Sequence, residues 1–198
     1  IRRMVDGLVP TLDFFSIQPP GFYLPYYIVA KLMAPSWELL RYISLISFFA
    51  TTFFVTHIIG RKYGTVLGIV GFLIIGCSHF WFYWNVNIIH YSVSNVTMLG
   101  AFYLIFSANP TRTTALAAGL IAGLCVNARL SMGPATIILL YLLIQRLRDQ
   151  SPNLTFWEAF QRLGWPYLFG GILISIPSLL ILFADPEATY QQLLGLRA

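Results

Sequence analysis

The chain alternates between long apolar runs and short polar or basic stops, and the spacing of those stops sets its expected elements. From about 37 to 59 it is apolar except for Glu38 and Arg41, and it halts at Gly60-Arg61-Lys62-Tyr63-Gly64. A second run, about 65–80, closes in Trp81, Tyr83 and Trp84, rings suited to a headgroup boundary. A third, about 88–108, carries Ser92, Ser94, Asn95 and Thr97, a polar stripe expected to face protein. After the turn Asn109-Pro110-Thr111-Arg112, a fourth run covers about 114–128 and contains Gly119 and Gly123. Their four-residue spacing leaves a flat strip that a neighbouring backbone can approach, in the same chain or in a dimer. The fifth run, about 132–144, is cut by Gln145-Arg146-Leu147-Arg148-Asp149, and the sixth, about 167–184, carries Pro177. Between these two, about 154–163 interleaves Leu154, Phe156, Trp157, Phe160 and Leu163 with Glu158, Gln161 and Arg162, the pattern of an interfacial helix.

This pattern predicts an all-α fold: a polytopic membrane helix bundle of about six transmembrane helices plus interfacial helices. Residues 1–36 read as an external loop with a juxtamembrane amphipathic segment, 37–184 as the bundle and 185–198 as the start of another external loop. Composition agrees, since 58% of the 198 residues are hydrophobic and only 10% are charged, with a mean hydropathy of +0.74. The polar, mixed segment 1–13 lacks the basic, apolar and small-residue order of a signal peptide. The chain is therefore expected to be an internal fragment, with a first membrane helix before Ile1 and further spans after Ala198.

Charge gives orientation rather than a nucleic-acid partner. The formal +5 comes from residues scattered at helix ends and not clustered on a soluble face. Loops after the first, third and fifth runs hold Arg61, Lys62, Arg112, Arg146, Arg148 and Arg162, whereas those after the second and fourth offer Arg129 alone. The positive-inside rule makes the first set cytoplasmic and puts Arg129 outside, in a protein integral to the cytoplasmic membrane. Cys77 and Cys125 both fall inside apolar runs and imply neither disulfide nor metal set. No glycine-rich phosphate loop, nucleophile elbow or paired His/Cys spacing is present.

Three stretches, taken in order, carry a family resemblance. They are Asp13-Phe14-Phe15 before Gln18-Pro19-Pro20-Gly21-Phe22-Tyr23, the 34–41 entry to a run ending Gly60-Arg-Lys-Tyr-Gly64, and Gly119-Leu-Ile-Ala-Gly123-Leu followed by Asn127-Ala-Arg129-Leu. Over roughly 7–143 the chain resembles the polyprenyl-phosphate-sugar glycosyltransferases of the GT-C fold, the group with protein mannosyltransferases and lipid A aminoarabinose transferases. The resemblance implies transfer of a sugar from a lipid-linked donor to an acceptor outside the membrane. It also implies that the principal acidic residue lies at the end of the membrane helix expected before Ile1.

Chemistry narrows the candidates. A polyprenyl donor keeps its tail in lipid and its phosphate at headgroup level, so a cation at an external helix end is required, and Arg129 is that cation. Snorkelling to headgroups is the alternative role for the same side chain. Gln18 stands where related enzymes often carry histidine or lysine before the two prolines, and it offers hydrogen bonds without charge. Tyr23 begins an aromatic shelf continued by Tyr26 and Tyr27, suited to an interfacial belt or to sugar stacking. His90 replaces an aspartate of some relatives and is a candidate to bind phosphate or relay a proton. Asp13 is the one catalytic candidate on the page, matching an acidic residue that often precedes the proline pair, with loop capping as its other reading.

The expected activity is inverting transfer from a polyprenyl-phosphate sugar, with lipid-linked sugar and membrane lipids as partners and no nucleic acid. No metal ligand set is identified and no cofactor is required, although a divalent ion assisting the leaving phosphate is compatible with the family. The competing expectation is a non-catalytic, glycosyltransferase-like membrane subunit that binds lipids or a membrane-protein partner through its aromatic and small-residue faces. A transporter fits less well, because no run holds a charged pair or an inverted repeat.

Overall fold

The computed structural model describes residues 6–8, 20–33, 36–78, 83, 90–107 and 109–187. Every regular element among them is helical. Helix α1 is Pro20–Met33, α2 Trp37–Tyr63, α3 Thr65–Gly76, α4 His90–Ser107 and α5 Arg112–Ala128. A short 3-10 turn, Leu130–Met132, leads into α6, Gly133–Gln150, and then come α7, Phe156–Ala159, a π-helical turn, Phe160–Gly164, and α8, Trp165–Ala184.

Local chemistry accounts for the boundaries. The Thr111 hydroxyl accepts a hydrogen bond from the Thr114 amide (3.2 Å) and so caps the alanine-rich α5. A capping box starts α7: Thr155 Oγ1 accepts from the Glu158 amide (3.3 Å), and Glu158 Oε2 accepts from the Thr155 amide (2.8 Å). The segment expected as an interfacial helix runs straight on into the last apolar helix. Pro166 has no amide to offer and its ring crowds the carbonyl four residues back, and the wider π turn just before it absorbs that defect. Helix α6 continues past its expected end near 144 to Gln150. It does so because the basic residues there find partners: Arg146 Nη1 donates to the Ile105 carbonyl, and Arg148 Nε donates to the Leu154 carbonyl (3.4 Å).

Among the described residues three helices are long and apolar enough to cross a membrane: Arg41–Tyr63, Leu130–Gln150 and Phe156–Ile181. The other three expected spans are shorter apolar helices, Thr65–Gly76, Ser92–Phe106 and Arg112–Ala128. At ~1.5 Å per residue the 12-residue α3 reaches only about 18 Å of a ~30 Å hydrocarbon core. In α4 the polar stripe Ser92, Ser94, Asn95 and Thr97 takes up the first two turns.

Packing is inverted relative to a water-soluble bundle. Ser44, Ser47, Thr51, Thr52, Ser92, Ser94, Thr97 and Asn127 are buried. Large apolar side chains such as Ile46, Phe49 and Phe53 on α2, or Ile172, Leu173 and Ile176 on α8, point outward. Several inner hydroxyls bond to their own helix, as Thr97 does to the Val93 carbonyl (2.7 Å) and Thr52 to the Phe48 carbonyl (3.0 Å).

Helices α5 and α8 run parallel and in backbone contact, Gly119 against Tyr167, Gly123 against Gly171 and Gly170 against Leu116. A Cβ added at Gly123 falls 2.7 Å from the Gly171 oxygen and 2.8 Å from its Cα, and one at Gly119 overlaps the Tyr167 carbonyl. The small-residue strip expected on α5 is thus occupied within the chain. Helices α2 and α4 are also parallel, joined by Phe54 against Tyr103 at 5.3 Å between ring centroids and by contacts at their other ends. In consequence one end of the bundle collects Arg61, Lys62, Arg112, Arg146, Arg148 and Arg162, and the other carries Lys31, Arg41 and Arg129.

Gly119→Ala and Gly123→Ala are each expected to lower stability by ~1–3 kcal/mol through overpacking. Gly133→Ala, where nothing lies within 4 Å of the added atom, is expected to be nearly neutral. Thermal unfolding in detergent measures all three, and equal effects would refute the close α5–α8 contact.

Candidate functional site

At the end of the bundle opposite the basic cluster, α1 crosses the start of α4 and the end of α5. Proline suits its first position, Pro20, where the missing amide costs nothing. Small and aromatic residues on its inner face do the rest. Tyr26 is fully buried, Ala30 almost so, and both pack with Val93 of α4 and Ala128 of α5, with Tyr23 and Ile43 against them. The Tyr26 hydroxyl lies 2.9 Å from Ser44 Oγ and 3.3 Å from Ser92 Oγ, so one phenol ties α1 to α2 and α4. Burial pushes that phenol above its ordinary value, against the opposing pull of its two serine partners, which keeps it a neutral hydroxyl.

Arg129 follows Ala128 directly and closes α5. Its backbone is extended (φ −155°, ψ 105°), its amide donates to the Cys125 and Val126 carbonyls (2.9 and 3.1 Å), and its carbonyl accepts from the Met132 amide (3.0 Å). The preceding turn is pinned to α8 by Asn127, whose Nδ2 donates to the Gly123 carbonyl and to Ser175 Oγ, each at 2.7 Å. The half-buried Arg129 side chain therefore projects from a corner fixed on both sides. His90 is the first residue of α4, two before Ser92.

The structure thus brings the elements of three sequence candidates to one end: Tyr23 on α1, His90 at the head of α4 and Arg129 at the foot of α5. Asp13 and Gln18 lie outside the described residues, as do Trp81 and Trp84 of the aromatic turn. Met132, three residues past Arg129, is one wall of a cavity of about 350 Å³ that Val55, Ile75, Met98 and Leu99 also line, with Asn95 its one polar wall. A cation next to an apolar cavity is an arrangement that suits an amphiphile with an anionic head.

Sequence reasoning passed over three acidic residues that share this end. Glu38 stands in the first turn of α2, and Asp185 and Glu187 follow the last turn of α8, all exposed. The signal was available, because α8 parallel to α5 must run toward the same end of the bundle. Among the described residues no three His, Cys, Asp or Glu side chains form a group able to hold a metal ion. Comparison with known protein families, with characterised proteins and with solved structures finds no match.

Tyr26→Phe is expected to destabilise the protein by ~1 kcal/mol, the worth of a buried hydroxyl bond. Thermal unfolding in detergent reads this out, and an unchanged midpoint would show that the Tyr26 hydroxyl does not hold α1 in place.

Proposed function

We propose that this chain belongs to an integral membrane glycosyltransferase of inverting GT-C type, which moves a sugar from a polyprenyl-phosphate donor to an external acceptor. The observation that carries the reading is the Arg129 corner: a half-buried cation at a fixed helix end, next to an apolar cavity, under an aromatic helix.

In this reading Arg129 pairs with the donor phosphate, whose tail stays in lipid. The acceptor oxygen attacks the anomeric carbon from the face opposite the phosphate, so the new carbon–oxygen bond forms as the carbon–oxygen bond to phosphate breaks. The electron pair leaves with the polyprenyl phosphate, and Arg129 stabilises the charge that develops there. The acceptor proton passes to a carboxylate, for which Asp13 is the sequence candidate and Asp185 and Glu187 are the ones at the Arg129 end. His90 serves as a phosphate ligand or proton relay, Tyr23 lines the sugar, and Gln18 supplies an uncharged hydrogen bond.

The competing reading, a non-catalytic subunit, would employ the small-residue face of α5 for a partner. That face is filled by α8, so such a subunit would bind lipids or a partner through its aromatic faces.

Arg129→Ala in the whole protein is expected to lower transfer from a radiolabelled polyprenyl-phosphate sugar by about 10²–10³-fold, the effect of losing one charge-stabilising donor, with partial recovery in Arg129→Lys. Unchanged turnover and unchanged donor affinity would remove Arg129 from the site.

A further inference from the structure

The end of the bundle that carries no sugar chemistry has a groove of its own, of about 470 Å³, between the head of α5 and the π turn leading into α8. Arg112, Thr113 and Gln161 form its rim, and Leu116, Trp165 and Phe169 its apolar floor. The Arg112 side chain is exposed and makes no hydrogen bond or ion pair with the described residues. Its backbone is held still by a threonine knot: Thr111 Oγ1 lies 2.9 Å from both Thr113 Oγ1 and Thr114 Oγ1, and Thr114 Oγ1 donates to the Asn109 carbonyl at 3.0 Å.

Two further features say what fits there. First, an aromatic ladder borders the groove: Trp157 stacks on Phe160 at 5.4 Å and Phe160 meets Trp165 edge-on at 5.7 Å, with Trp157 and Trp165 exposed. Exposed tryptophans in such a band mark the headgroup level of a bilayer. From Phe169 the exposed apolar face of α8 continues through Ile172, Leu173 and Ile176, a track for an acyl chain. Second, this end gathers six cations, Arg61, Lys62, Arg112, Arg146, Arg148 and Arg162, against two carboxylates, Asp149 and Glu158. A ligand here is anionic at its head and apolar below it.

We propose that this groove seats one anionic phospholipid, its phosphate on Arg112 and Gln161 and its acyl chains over Leu116 and Phe169. A free phosphate would satisfy the rim but leave Trp165 and Phe169 uncovered. The proposal depends on the membrane setting and not on sugar transfer, so either can fail without the other.

The protein is reconstituted in phosphatidylcholine vesicles containing a minor fraction of bromine-labelled phosphatidylglycerol or bromine-labelled phosphatidylcholine, and tryptophan quenching is read. The labelled phosphatidylglycerol is expected to quench about fivefold more effectively, the enrichment one cation at headgroup level supplies. That excess should vanish in Arg112→Gln, persist in Arg112→Lys and shrink in Trp165→Phe, which removes the reporter in the groove. Equal quenching by the two lipids in the wild-type protein overturns the proposal without recourse to any variant. So does an excess that survives Arg112→Gln or Trp165→Phe intact, or one that inorganic phosphate erases, which would make this a free-phosphate site. Loss of the excess with rising protein density in the vesicles would instead place a second copy of the chain on the groove and likewise refute the lipid.

Discussion

The contact on which the rest of the structure depends is that between the backbones of α5 and α8. Gly119, Gly123, Gly170 and Gly171 let two helices meet without side chains between them. At such range van der Waals attraction and weak polar contacts replace the hydrophobic effect, which has little to offer between helices that both sit in an apolar medium. The contact also fixes a direction. Because α5 and α8 are parallel, their first turns form the Arg112 groove and their last turns carry Asn127, Ser175 and Arg129. Two regions of proposed chemistry therefore hang from one strip of glycine.

A second consequence concerns the inside of the bundle. Where the helices are closest, small residues take many of the inward positions: Ser44, Ser92, Ser94, Ala118, Ala122. Several inner hydroxyls return to the carbonyl of the preceding turn, as those of Thr52 and Thr97 do, or join helices, as Ser44 and Ser92 do through Tyr26. Many bulky apolar residues are left to the outside, where lipid is the solvent that suits them, while Ile105, Leu139, Leu143 and Ile144 fill the core between α4 and α6. The same inversion explains how α1, not long enough to be a span, stays attached: a phenol hydroxyl and a small apolar cluster are enough where the surfaces already match.

Much of this was legible in the sequence, and the remainder has physical reasons for having been hidden. Apolar runs and their basic stops fall on the helices from α2 to α8, with the end of α6 six residues beyond its run. The polar stripe of Ser92 to Thr97 and the glycine pair on α5 were read as inward faces. Six spans are expected and three helices of spanning length are found among the described residues, because a stop signal marks where an apolar run ends and not how far the helix reaches through a bilayer. Thus α3 stops at Gly76, too short, while α6 runs on to Gln150 because Arg146 reaches the Ile105 carbonyl, a partner 41 residues away that no local pattern displays. The break between the interfacial and last helices was expected at Gly164-Trp165-Pro166, where a π turn carries the helix through. On the site, Tyr23, His90 and Arg129 were named from their place in the order of loops. The acids at Asp185 and Glu187 were not, since their place at the Arg129 end of the bundle follows from the parallel pairing of helices separated by α6.

The central claim is that the Arg129 corner and the underside of α1 form one binding site for a lipid-linked phosphate. A photoactivatable polyprenyl phosphate, cross-linked to the protein in membranes and mapped by mass spectrometry, tests it directly. The account predicts labelling of both the Tyr23 and the 128–132 peptides, suppressed together by an unlabelled polyprenyl-phosphate sugar. Labelling confined to the outward faces of α6 and α8 and indifferent to competitor would contradict it.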